Sequence, residues 1–162
     1  MKKVYLMIAS MVLMFSIKSN AQIIKVEIRA TGLTCSMCSN AINKQLKSME
    51  EVVAVETDLN TNTFTVTLKE GNDLSPKVFK EKVEKAGFFI GSLLLTAKPE
   101  TITKSSYILV NDKKSNALEI QFQVVDKGYV TEKEFKKLSK SYKNVETYAS
   151  NNEEDFHIKM IN

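Results

Sequence analysis

The only two cysteines of this 162-residue chain, Cys35 and Cys38, lie three positions apart. They follow an alternating apolar segment and precede an amphipathic one, which predicts a strand, a loop and then a helix. That order would place both sulfur atoms at the start of the helix. Two thiolates so placed can hold a soft metal ion, and two thiols can close into a disulfide.

The first 21 residues have the pattern of a cleaved export signal. Lys2 and Lys3 precede an apolar stretch, Val4 to Ile17, and small residues follow it. This stretch has 14 residues, whereas a membrane-spanning helix needs about 20. We therefore predict a signal peptide over residues 1–21, a mature chain that begins near Gln22 without a stable membrane anchor, and a periplasmic or secreted location.

The charge balance argues against a nucleic-acid-binding protein. Removing residues 1–21 takes away three lysines and no acidic residue, which lowers the formal net charge from +4 to +1. The remaining length suits one ordinary domain or two very small ones. Two cysteines so close in sequence close almost no loop, which excludes a scaffold held together by disulfides.

Residues 22–97 begin with a strand, a helix and two more strands. Apolar residues alternate from Ile24 to Ala30, and they recur at helical spacing from Cys38 to Met49. Strands are predicted at 52–57 and 63–69, on either side of a polar turn.

A second helix and a final strand complete this unit. Ser75 is the predicted N-cap, Pro76 fills the first helical position, and Gly87 suits the exit. Apolar side chains of this helix are predicted to face inward, namely Val78 or Phe79, Val83 and Ala86. With a last strand over 88–96, the order is β-α-β-β-α-β, which folds as one sheet with both helices on one face.

The first strand–helix junction reads Gly32-Leu33-Thr34-Cys35-Ser36-Met37-Cys38. On this motif and this element order, residues 22–97 resemble a heavy-metal-associated domain. This is the ferredoxin-like module of copper chaperones, metal-pumping ATPase tails and periplasmic mercury-binding proteins, and its family motif is Gly-Met-Thr-Cys-x-x-Cys. The resemblance implies an α+β ferredoxin-like fold and metal binding by Cys35 and Cys38.

The junction departs from the family pattern at two positions. Leu33 replaces the usual methionine, an apolar exchange of similar volume that should cost little stability. Phe88 lies where many bacterial members carry a tyrosine, so it has no hydroxyl to offer a thiolate. We expect the Phe88 ring to belong to the core rather than to the site, and the Thr34 hydroxyl to cap the helix.

The chemistry of two thiolates favours Cu(I) as the bound ion. Side chains at positions i and i+3 of a helix lie roughly 5–6 Å apart, close enough to grip one ion from opposite sides. Zinc normally demands four ligands, and the single histidine, His157, is far away in sequence. Cu(I) is therefore the first choice, with Hg(II) or Zn(II) as alternatives. The resemblance implies transfer of the ion to or from a partner protein by thiolate exchange, and two chains could also share one ion in a metal-bridged dimer.

A thiol–disulfide redox protein is the competing hypothesis, because an empty Cys-x-x-Cys pair tends to close in an oxidising compartment. The residues around Cys35 and Cys38 lack the Trp and Pro of a thioredoxin-type site, and Ser39 in place of His excludes covalent haem. No nucleophile–base set is visible in the sequence, so we predict a carrier rather than an enzyme.

Residues 100–162 predict a smaller ββαββ unit that packs against the first and whose role the sequence does not reveal. Its strands are predicted at 107–110, 118–124, 145–149 and 156–161, with the second of these as the partner of the first across a turn at 111–116. Its helix runs from the capping pair Thr131 and Glu134 to Tyr142. His157 alternates with apolar neighbours in the last strand, which predicts a side chain that points to solvent. If His157 is functional instead, it could give a third, nitrogen ligand only where the two units meet at the cysteine loop. A protein-binding adaptor is a further hypothesis for this unit.

Overall fold

The computed structural model describes residues 22–34, 36–104, 106–111, 113, 115, 117–148, 150, 152 and 154–161. The predicted signal peptide and Cys35 lie outside the described residues. None of the described helices has the length and hydropathy that a membrane-spanning segment requires.

The first unit has the predicted element order. Its strands are β1 (Ile23–Thr31), β2 (Val52–Asp58), β3 (Thr63–Leu68) and β4 (Phe89–Ala97), and its helices are α1 (Ser36–Lys47) and α2 (Pro76–Lys85). The ferredoxin-like β-α-β-β-α-β arrangement is thereby confirmed.

The second unit extends the same sheet rather than forming a separate layer. After a 3₁₀ turn (Pro99–Thr103) it contains β5 (Tyr107–Leu109), β6 (Ile120–Val124), α3 (Glu132–Ser141) and β7 (Phe156–Met160). The seven strands have the order β2-β3-β1-β4-β6-β7-β5. Because β6 pairs antiparallel with β4, the expected packing of the second unit against the first takes the form of a shared sheet.

The core lies between the sheet and the helices of the first unit. Alternate residues of β1 are buried from Val26 to Ala30, as the two-residue period predicted, whereas Ile23 is buried in place of Ile24, next to a register shift in the pairing with β4. Phe79 and Val83 of α2 are also fully buried, which confirms two of its inward positions. The helices contact each other and contribute to one cluster with the strands, which includes Val26, Ile28, Ile42, Leu46, Phe64, Val66, Phe79, Val83, Leu93 and Leu95.

The ends of α2 are set by backbone geometry more than by a capping side chain. Ser75 occupies the N-cap position, but its side chain makes no capping hydrogen bond, and Pro76 begins the helix. Gly87 has φ +88°, and its N–H donates to the Glu84 carbonyl at 2.8 Å, which closes the last turn. The predicted exit at Gly87 is confirmed.

The pairing predicted within the second unit is wrong. We expected the strand at 118–124 to be the partner of the strand at 107–110, but β7 lies between β5 and β6. β5 pairs parallel with β7, and β6 pairs antiparallel with it. Asn111 contributes to this arrangement, because its side chain both donates to the Met160 carbonyl at 3.1 Å and accepts from the Met160 N–H at 2.9 Å.

The strand predicted over 145–149 is also wrong within its described residues, 145–148, which form turns. The N–H groups of Val145 and Tyr148 each donate to the carbonyl three residues earlier. This tight winding turns the Tyr148 ring inward, where its hydroxyl donates to the Val125 carbonyl at 2.6 Å. Burial, with a smaller contribution from the nearby Asp126 carboxylate, raises the pKa of Tyr148 above its ordinary value.

His157, predicted to point to solvent, is instead buried with 2% of its surface exposed. Its Nδ1 lies 2.6 Å from Asp126 Oδ1 and its Nε2 lies 2.9 Å from Thr147 Oγ1. The Tyr148 ring packs edge-on against the imidazole. The strand period gave the correct alternation, but the segment from Asp126 to Tyr148 covers the face on which the histidine lies.

Candidate metal centre

The predicted metal loop connects β1 to α1. β1 ends at Thr31, and Gly32 turns the chain with φ +84°, a conformation that L side chains rarely adopt. α1 begins at Ser36, so Cys38 lies in its first turn. Cys35 is outside the described residues, and its proximity to Cys38 stays a prediction.

Cys38 is partly exposed at the positive end of α1. The first turn of this helix contains no acidic residue, so nothing there opposes the partial positive charge of the helix N-terminus. Both features suit a sulfur atom that must be anionic and reachable from solvent. The next residue, Ser39, is buried, and Ile42 one turn later belongs to the core, which anchors this end of the helix.

Two apolar side chains lie between the metal loop and the core. Leu33 and Phe88 are both partly buried and packed against the core. The Phe88 ring lies 3.9 Å from the point where a Cβ on Gly32 would be. Phe88 therefore packs against the core, as expected, but it is not fully buried and its ring lies beside the loop.

Two other apolar side chains at this end are exposed, and the sequence did not single them out. Met37 is 79% exposed and Phe89 is 68% exposed. Phe89 pairs with Thr31 at the end of β1, immediately before the metal loop. Strand and helix periodicity could not have found them, because both residues lie at the ends of their elements.

Residues of other types do not complete a metal site in the described part of the chain. No group of three or more His, Cys, Asp and Glu side chains there is arranged to hold an ion. His157 was considered as a third, nitrogen ligand, but both its ring nitrogens contact Asp126 and Thr147. This histidine does not offer a nitrogen atom to the metal loop.

A β-bulge supports the base of the loop. Arg29 pairs with Ser92 and Ala30 pairs with Ile90, which leaves Gly91 of β4 without a partner in β1. A Cβ on Gly91 would lie 2.5 Å from Thr31 Cγ2, much closer than side chains can approach.

Replacing Gly91 with alanine is therefore expected to lower the free energy of unfolding by about 1–3 kcal/mol, because the added methyl group overpacks the site. Urea unfolding measures the change. The matched background is Thr31→Ser, which removes the opposing methyl group and retains the hydroxyl that donates to the Phe89 carbonyl at 3.3 Å. The loss should be much smaller in that background, and an equal loss in both would contradict the steric explanation.

Comparison with known families assigns the first unit. Residues 27–89 match the family model of the heavy-metal-associated domain. This part of the chain is therefore a heavy-metal-associated domain, as the junction motif predicted.

Several proteins of known name are similar to this region. A copper-transporting ATPase of Saccharomyces cerevisiae is 39% identical over 57 residues, which are 35% of this chain but only 6% of the ATPase. The solution structure of the yeast copper transporter domain Ccc2a, in apo and Cu(I)-loaded states, aligns at 34% identity with a TM-score of 0.37, over 41% of this chain and 90% of that domain. The CopZ metallochaperone aligns at 17% identity with a TM-score of 0.37, over 41% of this chain and 97% of that protein.

Proposed function

We propose that this protein is an exported carrier that binds Cu(I) through the thiolates of Cys35 and Cys38, for transfer or sequestration rather than for catalysis. The observation that carries the proposal is the position of Cys38. It lies partly exposed in the first turn of α1, the helix that follows the glycine turn in a heavy-metal-associated domain. Cys35 precedes it by three residues in sequence.

Copper is favoured over the other soft ions by two arguments. Two thiolates satisfy Cu(I), whereas zinc normally takes four ligands. The relative that shares 39% identity with this chain over 57 residues is a copper-transporting ATPase. Hg(II) also accepts two sulfur ligands and is the alternative ion.

An incomplete ligand set supports a carrier. An ion held by two sulfur atoms can accept a third thiolate from another protein and leave by exchange. The proposed partner is therefore a metal donor or acceptor that presents its own cysteines. A second copy of this chain could provide the same sulfur atoms, which would give a metal-bridged dimer.

Titration of the fully reduced protein with Cu(I) under anaerobic conditions, against a chromophoric Cu(I) chelator, tests the proposal. We expect one equivalent to bind tightly, and we expect the Cys35→Ser, Cys38→Ser double variant to bind none. Met37→Leu is the matched control, because it removes the exposed thioether between the two cysteines and should leave the stoichiometry unchanged. Stoichiometric binding that persists in the double variant would refute the assignment.

The redox alternative predicts a different outcome from the same samples. A thiol–disulfide catalyst would reduce a disulfide substrate such as insulin at a rate that depends on both cysteines, and Cu(I) would not be needed. Slow or undetectable reduction, with tight Cu(I) binding, favours the carrier.

The proposed export has its own test. The mass of the protein isolated from the periplasm or medium of an expressing cell should correspond to a chain that begins near Gln22. A chain that retains residues 1–21 and stays in the cytoplasm would contradict this part of the proposal.

A further inference from the structure

The second unit contains a hydrogen-bonded chain of a carboxylate, an imidazole and a hydroxyl. Asp126 Oδ1 lies 2.6 Å from His157 Nδ1, and Thr147 Oγ1 lies 2.9 Å from His157 Nε2. The three residues come from three segments: the loop after β6, the start of β7 and the turn after α3. This is the order of contacts that activates a hydroxyl nucleophile, with the base oriented by a third group.

The hydrogen-bond network assigns the protons. An ionised Asp126 carboxylate can only accept, and its other oxygen accepts the backbone N–H of His157 at 2.6 Å. The imidazole proton therefore lies on Nδ1. In the neutral ring Nε2 is then an acceptor, so the Thr147 hydroxyl donates to it, as a hydroxyl must before it can be deprotonated.

This hydrogen-bonded chain is accessible to solvent at its Thr147 end. His157 is buried and the Asp126 side chain is only 17% exposed, whereas Thr147 is exposed. The Tyr148 ring lies edge-on against the imidazole with centroids 5.1 Å apart. A reagent from solvent can thus contact residue Thr147, whereas the imidazole is buried.

We propose that Thr147 is an acylation site, at which the Asp126–His157 pair activates the hydroxyl toward activated esters. The Thr147 oxygen attacks the carbonyl carbon of the ester and its proton moves to His157 Nε2. The bond from the carbonyl carbon to the leaving oxygen then breaks. The acyl group stays on Thr147 as an ester, and the proton on Nε2 passes to the leaving group or to water.

The surroundings limit the reaction to good leaving groups. The N–H of Tyr148, the residue after the nucleophile, already donates to the Val145 carbonyl at 3.0 Å and does not point at a developing oxyanion. Stoichiometric transfer from an activated ester is therefore expected, and amide hydrolysis is not. This site is independent of the metal loop and of the function proposed for it.

The test uses the full-length protein and p-nitrophenyl acetate, with peptide mapping to locate each acetyl group. Hydroxylamine, which cleaves the ester on Thr147, separates it from stable amides on lysines. Ser141 is the internal reference, because its hydroxyl is exposed nearby and donates to the Lys137 carbonyl instead of to a histidine. We expect acetylation at Thr147 to be at least about 100-fold faster than at Ser141, the lower end of the usual contribution of a general base.

Three variants and a pH profile separate this activity from a purely structural hydrogen-bond chain. Thr147→Val should abolish the label, and Thr147→Ser should accelerate it by presenting a less hindered hydroxyl. Asp126→Asn should slow it by about 100-fold or more, because the amide no longer holds the proton on Nδ1.

In the unmodified protein the rate should fall at low pH together with the fraction of neutral His157 followed by NMR. Labelling of Thr147 no faster than Ser141, or independent of His157 protonation, would overturn the proposal.

Discussion

Replacing His157 with leucine is expected to lower the free energy of unfolding by about 2–3 kcal/mol, because the largely buried Asp126 carboxylate loses its side-chain partner and keeps the backbone N–H of residue 157. The Asp126 carboxylate, whose side chain is 17% exposed, would lose the contact to Nδ1. The Thr147 hydroxyl would lose its partner as well. The leucine fills most of the space of the imidazole, so the loss reports on the polar contacts rather than on a cavity.

The His157→Leu substitution should destabilise α3 more than the other elements. This helix has no fully buried side chain, and the segment that carries it is held at one end by Asp126 and at the other by Thr147. Both contacts are made to the same histidine. Amide hydrogen exchange in α3 should therefore accelerate more than in β1, since local opening of the helix no longer breaks these two bonds.

Urea unfolding measures the loss of stability, and hydrogen exchange measures the local opening of α3. Two further variants serve as comparisons. Lys159→Leu changes an exposed residue two positions along the same strand and should shift stability by less than about 0.5 kcal/mol. Combining His157→Leu with Asp126→Leu should restore part of the loss, because the double variant contains no unpaired carboxylate. A His157→Leu variant as stable as the Lys159→Leu control would contradict the account.

The first unit could be predicted from sequence because its signals are local. Apolar alternation marked β1, and Pro76 and Gly87 marked the ends of α2 within a few residues of the structure. Each of these residues acts through its own backbone preference or through neighbours one turn away. The spacing of the two cysteines likewise predicts the candidate site, of which the structure describes Cys38.

The second unit could not be predicted to the same degree because its contacts are distant in sequence. The parallel pairing of β5 with β7 joins residues almost 50 positions apart, as in the contact of Tyr107 with Phe156. Strands of three and five residues carry too little periodicity to specify a partner. Val145 belongs to a β-branched and aromatic segment, which is typical of a strand, yet turn hydrogen bonds after α3 override that preference.

The environment of His157 could not be predicted for the same reason, because its contacts are distant in sequence. Alternation with Phe156 and Ile158 correctly indicated that it lies on the opposite face from those residues, but not what covers that face. Asp126 and Thr147 are 31 and 10 positions away, and neither forms a motif with a histidine at that spacing. No sequence pattern therefore indicates that these three side chains lie in contact.

Replacing Phe122 with alanine is expected to cost about 3–5 kcal/mol of unfolding free energy, the range for deleting a buried aromatic ring. Phe122 is fully buried at the centre of β6, opposite Leu95 of β4 and Met160 of β7. Its ring also packs edge-on against Tyr107 of β5, with centroids 5.8 Å apart. The cavity would therefore open at the junction of the two units.

Because the sheet is continuous across this junction, the destabilisation should appear in both units as one cooperative transition. Far-UV circular dichroism in urea gives its size, and hydrogen exchange of β1 and β7 amides shows whether both strands lose protection together. Gln123→Ala is the neighbouring control, since this half-buried side chain donates a long, 3.4 Å hydrogen bond to Ser92 and its loss should cost less than about 1 kcal/mol. Two separate transitions, with β1 as protected as before, would mean that the metal-binding domain folds independently of the strands added to its edge.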